Sequence, residues 1–144
     1  MLQRIQTVWL LLAGVAAFLT LKLHFYSGVL QQPEGTASIS YAKQNGMSPF
    51  WLMLVTVAIG LIAFITIGLF KNRTVQLRLC VLGIVLEALL IFLYYQTIKS
   101  KFVPGQGEYS LTTLLHSLIV LFFVLAARSI NKDQKLIKES DRLR

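Results

Sequence analysis

The chain has 144 residues, 56% of them hydrophobic and only 14% charged, with a mean hydropathy of +0.67 and a formal net charge of +8. A soluble domain is about 25% charged and about 45–50% apolar, and a water-soluble body of this size has too little interior for so much apolar surface. These proportions exclude a typical soluble enzyme, a disordered regulator and a secreted disulfide scaffold, and the length allows one domain or one bundle.

A helix needs about 20 apolar residues to cross about 30 Å of hydrocarbon. Residues 5–21 carry no charge, and the pattern runs on past Lys22 to about Tyr26. Lys22 can extend its ammonium to the headgroups while its methylenes stay in lipid. No clean small-x-small site follows this run, and it is long enough to span, so we expect an uncleaved first helix rather than a signal peptide. Residues 27–48 are polar, with Gly28, Pro33, Gly35 and an Asn45-Gly46 turn signal. They read as a loop, with a short hairpin around 36–41 as the alternative.

Residues 49–70 hold no ionisable group, begin with Pro49 and carry Trp51 near that end. A tight turn is expected at 71–78. The third span, 79–98, contains one charge, Glu87, and ends in Tyr94 and Tyr95; a short loop at 99–110 with Pro104, Gly105 and Gly107 follows. The fourth span, 111–127, holds one histidine, His116. Residues 128–144 read as a charged helix continuing from it, with Ile130, Ile137 and Ser140 on one face. The expected fold is an all-α integral membrane four-helix bundle over 1–127, with spans at about 5–26, 49–70, 79–98 and 111–127. A short amphipathic basic tail over 128–144 completes it. No internal repeat supports an inverted-repeat transporter.

The cations give the orientation. Arg4, Lys71, Arg73, Arg78, Arg128, Lys132, Lys135, Lys138, Arg142 and Arg144 flank one side, ten against the four of Lys22, Lys43, Lys99 and Lys101. The positive-inside rule then puts both termini in the cytoplasm. Trp51, Tyr94, Tyr95 and Tyr109 fall at the outer interface as an aromatic belt. Basic residues just outside apolar runs point to anionic headgroups rather than nucleic acid, since no soluble basic domain exists to hold a duplex.

Glu87 stands near mid-bilayer, where a carboxylate costs several kcal/mol unless paired, wetted or protonated. It reads either as a hydrogen-bonded carboxyl fastening helices or as a proton or ion site. His116 is its natural partner. Counted at 1.5 Å per residue from the outer helix ends, however, the two differ in depth by about 9 Å, too far for a direct hydrogen bond without a register shift or a water bridge. Thr112 and Ser117 are then the local partners for His116. The single Cys80 builds neither a disulfide, a redox pair nor a zinc site and reads as a packed small side chain. Ala13/Ala17 and Thr56/Gly60 have the small-xxx-small spacing of close helix contacts, which leaves a homo-oligomer open without assigning one. There is no HExxH, GxSxG, phosphate loop or paired-carboxylate cluster, so no catalytic, cofactor-binding or metal residue is assigned and no enzyme is expected.

Three segments together carry a resemblance: residues 3–7 (QRIQT), residues 70–80 (FKNRTVQLRLC) and residues 137–144 (IKESDRLR). In this order the chain resembles a family of small four-helix membrane proteins of unknown function from Gram-negative bacteria. The resemblance implies a multi-pass inner-membrane protein and supplies no activity, cofactor or partner; Glu87 and His116 lie outside it. The only organised polar surface in the pattern is cytoplasmic. The leading expectation is therefore a non-enzymatic accessory or assembly subunit, contacting lipid headgroups or a membrane or cytoplasmic protein through its basic turn and tail. The alternative is a small transporter or channel subunit using Glu87.

Overall fold

A computed structural model describes residues 2–31, 40–70 and 72–142. Four helices dominate: α1 (Leu2–Lys22), α2 (Phe50–Gly68), α3 (Arg73–Lys101) and α4 (Leu114–Arg142), the last entered through a 3-10 turn at Leu111–Thr113. All four are long and apolar enough to cross a membrane. Each packs against its neighbours in sequence, and α4 closes the ring on α1.

The seams follow a three-four spacing. On α3 the buried residues are Gln76, Cys80, Gly83, Glu87, Leu90, Tyr94 and Thr97. On α4 they are His116, Ile119, Phe123, Ala126, Ile130 and Asp133. This is the periodicity of helices packed nearly in line, knobs into holes. The polarity is inverted relative to a soluble bundle. Leu11, Val15, Leu54, Ile65, Val85, Phe92 and Leu121 face outward, while glutamate, histidine, threonines and glutamines face in. The buried hydroxyls of Thr20, Thr56, Thr66 and Thr97 are satisfied locally by carbonyls three or four residues back.

Two connections expected as loops carry strands, so the fold is mostly helical rather than all-α; the alternative hairpin around 36–41 lies mainly outside the described residues. β1 (His24–Leu30) lies between β2 (Tyr41–Asn45) and β3 (Phe102–Tyr109), both antiparallel to it. α1 therefore stops at Lys22 rather than near Tyr26. Phe25 and Tyr26 are instead buried under the sheet, Phe25 against Tyr94 and Tyr26 against Phe102 and Tyr109. β3 keeps its Pro104 because it is an edge strand and the residue falls in a register irregularity. Its Gly107 lies beneath the Tyr26 ring, where a Cβ would collide. The expected 71–78 turn is also shorter, since Arg73 already begins α3. α4 runs through position 128 without a break.

Candidate functional site

Glu87 and His116 meet. Glu87 Oε1 lies 2.6 Å from His116 Nδ1, with the carboxylate fully buried and the imidazole 5% exposed. The expected depth gap is wrong because the helices do not end at one level. From Glu87, α3 climbs 14 residues to Lys101, about 21 Å, whereas only five residues, about 8 Å, separate His116 from Leu111. β3 makes up the difference. It starts opposite Leu30 and finishes opposite Tyr26, a descent of about 13 Å at about 3.3 Å per residue. The 3-10 turn is pinned at that lower level. The Ser110 amide and the Thr113 hydroxyl, both at 2.9 Å, donate to the Phe25 carbonyl, and the Thr112 hydroxyl donates to the His24 carbonyl. Thr112 is thus engaged elsewhere and is not the local partner of His116.

Above the pair, the Tyr94 ring meets His116 edge-on at 4.9 Å and packs on Phe25 at 3.9 Å. Tyr94 is therefore core, not part of an exposed aromatic belt; Trp51, Tyr95 and Tyr109 at the same end are exposed. Glu87 Oε2, His116 Nε2 and the Tyr94 hydroxyl have no hydrogen-bond partner among the described residues. At 2.6 Å the two groups share a hydrogen bond, and removing either one would leave a buried polar group unpaired. Among the described residues no group of three or more His, Cys, Asp or Glu side chains could hold a metal.

A second polar cluster ties the opposite end. The Gln6 side-chain amide donates to Asp133 Oδ2, and Arg73 lies 3.9 Å from the same oxygen. The Gln134 amide reaches the Thr74 hydroxyl at 3.3 Å, and the Gln76 amide donates to the Thr66 carbonyl at 2.8 Å. These contacts join the start of α1, the start of α3 and the end of α4. They place Arg73, Arg78, Arg128, Lys132 and Lys135 at one end of the bundle. Arg73 turns inward to Asp133, while Arg78, Arg128, Lys132 and Lys135 are exposed. Lys71 and Arg144 lie outside the described residues, as do the side chains of Arg4, Lys138 and Arg142.

The strands add a polar surface that the sequence pattern does not reveal, a shallow groove lined in part by Ser27, Tyr41, Lys43, Gln106 and Glu108. Tyr94, Gln6, Gln76 and Asp133 are likewise core residues missed from sequence. One signal was available: in otherwise apolar α3, the small and polar side chains recur every three or four positions, in step with Glu87.

The chain matches a domain of unknown function, DUF4293, over residues 2–143. No curated protein and no solved structure matches it. The match spans nearly the whole chain, which therefore belongs to the DUF4293 family.

Proposed function

We propose that this DUF4293 member is a non-enzymatic accessory or assembly subunit of a bacterial inner membrane, crossing it four times with both termini in the cytoplasm. The inverted polarity carries this reading. Leucine, isoleucine, valine and phenylalanine cover the helices outside while the ionisable pair is sealed inside, an arrangement water penalises and lipid favours. At 29 residues, α4 is about 43 Å long, well beyond the hydrocarbon thickness of about 30 Å. Its end projects Lys132 and Lys135 beside Arg128 and Arg78 as a rigid cationic surface. Each such residue adds about 1 kcal/mol of attraction to anionic headgroups, and an acidic protein face would meet the same pattern.

Replacing Arg128, Lys132 and Lys135 together with Glu tests this surface. The expected result is a shift in native-gel migration of the complex from mild-detergent extracts, with the chain still in the membrane. Unchanged migration together with unchanged cell fitness removes the accessory role. An ion path through Glu87 is the weaker reading, because its carboxylate is fully enclosed.

A further inference from the structure

The outer side of the sheet carries a row of charge that the fold does not use. Side chains alternate along β1: Tyr26 and Gly28 are buried, with Gln44 of β2 on the same side, whereas Ser27 and Val29 are on the partly exposed side. Ser27 pairs with Lys43 of β2 and with Glu108 of β3, and residues directly opposite in an antiparallel pair share a face. Lys43, Ser27 and Glu108 therefore form one row across three strands, with both charged members exposed. At about 4.8 Å per strand, the backbones of the two stand about 10 Å apart. Neither enters an ion pair among the described residues. The row crosses the shallow groove described above, about 720 Å³, to which Tyr41 and Gln106 add further polar groups.

The bonds at the base of the sheet set the depth of this row. The Ser110 amide donates to the Phe25 carbonyl, which holds Leu111, 85% exposed, level with Phe25. In the membrane reading above, exposed Leu111 and Leu114 mark the reach of hydrocarbon. Ser27 lies two residues beyond Phe25, at most about 7 Å further out. Headgroups occupy about 5–8 Å of each leaflet beyond the hydrocarbon, so the row lies among the headgroups of the outer leaflet.

We infer that this row binds the headgroup of a zwitterionic phospholipid with a primary ammonium, of the phosphatidylethanolamine class. Lys43 and the Ser27 hydroxyl donate to its phosphate, and the Glu108 carboxylate accepts from its ammonium, each charged contact being a charge-assisted hydrogen bond. The charge pattern selects this occupant, since one edge strand offers a cation and the other an anion. An anionic headgroup satisfies Lys43 but is repelled by Glu108. A choline headgroup carries both charges but has no N–H to donate. The inference rests on the membrane reading.

The test uses the full chain purified in detergent and delipidated. It is incubated with equimolar phosphatidylethanolamine, phosphatidylcholine and phosphatidylglycerol of identical acyl chains, and native mass spectrometry counts the lipids retained. Glu108→Gln and Lys43→Gln change exposed positions and leave the bundle core untouched. The expected result is one phosphatidylethanolamine per chain, preferred at least about five-fold over phosphatidylcholine. Glu108→Gln should bring that ratio to about one, Lys43→Gln should weaken retention at least about three-fold, and Lys135→Gln at the opposite end should change neither. Equal retention of the two zwitterionic lipids by wild type, or an unchanged preference in Glu108→Gln, overturns the inference. Phosphatidylglycerol retained above phosphatidylethanolamine reduces the effect to attraction by a basic chain and also overturns it. So does micromolar, saturable binding of glycerophosphoethanolamine, which assigns the row to a soluble zwitterion. A chain monodisperse in plain buffer instead defeats the membrane reading, before any lipid is added.

Discussion

The Phe123 ring of α4 lies against Gly83 of α3, so closely that a Cβ at Gly83 would come within 2.7 Å of it. The pair sits one helical turn from Glu87 and sets how near α3 and α4 approach. Gly83→Ala forces the ring or the helix aside and should destabilise by about 1–3 kcal/mol. Gly68, with nothing within 4 Å of its Cβ position, is the control. Gly68→Ala should be neutral or stabilising by up to about 1 kcal/mol. Unfolding in mixed micelles, followed by circular dichroism, compares the two.

The Glu87–His116 contact calls for a double-mutant cycle. Removing one member leaves a buried polar group unpaired, and Glu87→Ala or His116→Ala should each cost about 3–5 kcal/mol. Replacing both with Leu removes the need for pairing and should recover most of that loss. Additive losses in the double variant would mean that the two side chains do not depend on each other.

Asp133 anchors the continuation of α4. In Asp133→Ala the Gln6 amide and Arg73 lose their shared acceptor, a loss of about 1–3 kcal/mol felt mainly at that end. Limited trypsin digestion reads it directly. Cleavage after Lys132 and Lys135 should accelerate several-fold, while cleavage after Lys99 and Lys101, in the last turn of α3 at the opposite end, proceeds at its wild-type rate.

Sidedness is checked by cysteine labelling. Native Cys80 is fully buried and gives little background. Lys43→Cys, at the sheet end, should react with an impermeant maleimide in intact spheroplasts. Arg78→Cys, at the opposite end, should react only after permeabilisation. Labelling of position 78 from outside would invert the orientation.

The helices were legible because each is a long apolar run, and that signal is local. The sheet was not. Residues 102–109 carry Pro104, Gly105 and Gly107, which locally favour a loop, and they become a strand only because β1 supplies a partner far away in sequence. Missing that strand also hid the site, since His116 reaches Glu87 only when β3 lowers the start of α4. Glu87 and His116 were each recognisable as polar residues in apolar runs, but their meeting depends on the non-local pairing. Tyr94 was misplaced for a related reason. Tyrosine at a span end resembles an interfacial anchor, and only the three-four spacing from Glu87 distinguishes it from exposed Tyr95. The exposed cations at the tail end were legible individually. Arg73 was legible as a cation too, but its turn inward was not, because Asp133 lies on another helix.

The central strand is the first of the three to be synthesised. β1 leaves the ribosome directly after α1, yet Tyr26 must wait 83 positions for Tyr109. The Phe25 carbonyl likewise waits for Ser110 and Thr113. The sheet can close only after α3 has been delivered, and the ring of helices only after α4. A ribosome stalled before position 102 would therefore hold a chain with one sheet edge unpaired and Glu87 without its histidine, a nascent form that quality-control proteases or insertion chaperones could distinguish from the finished protein.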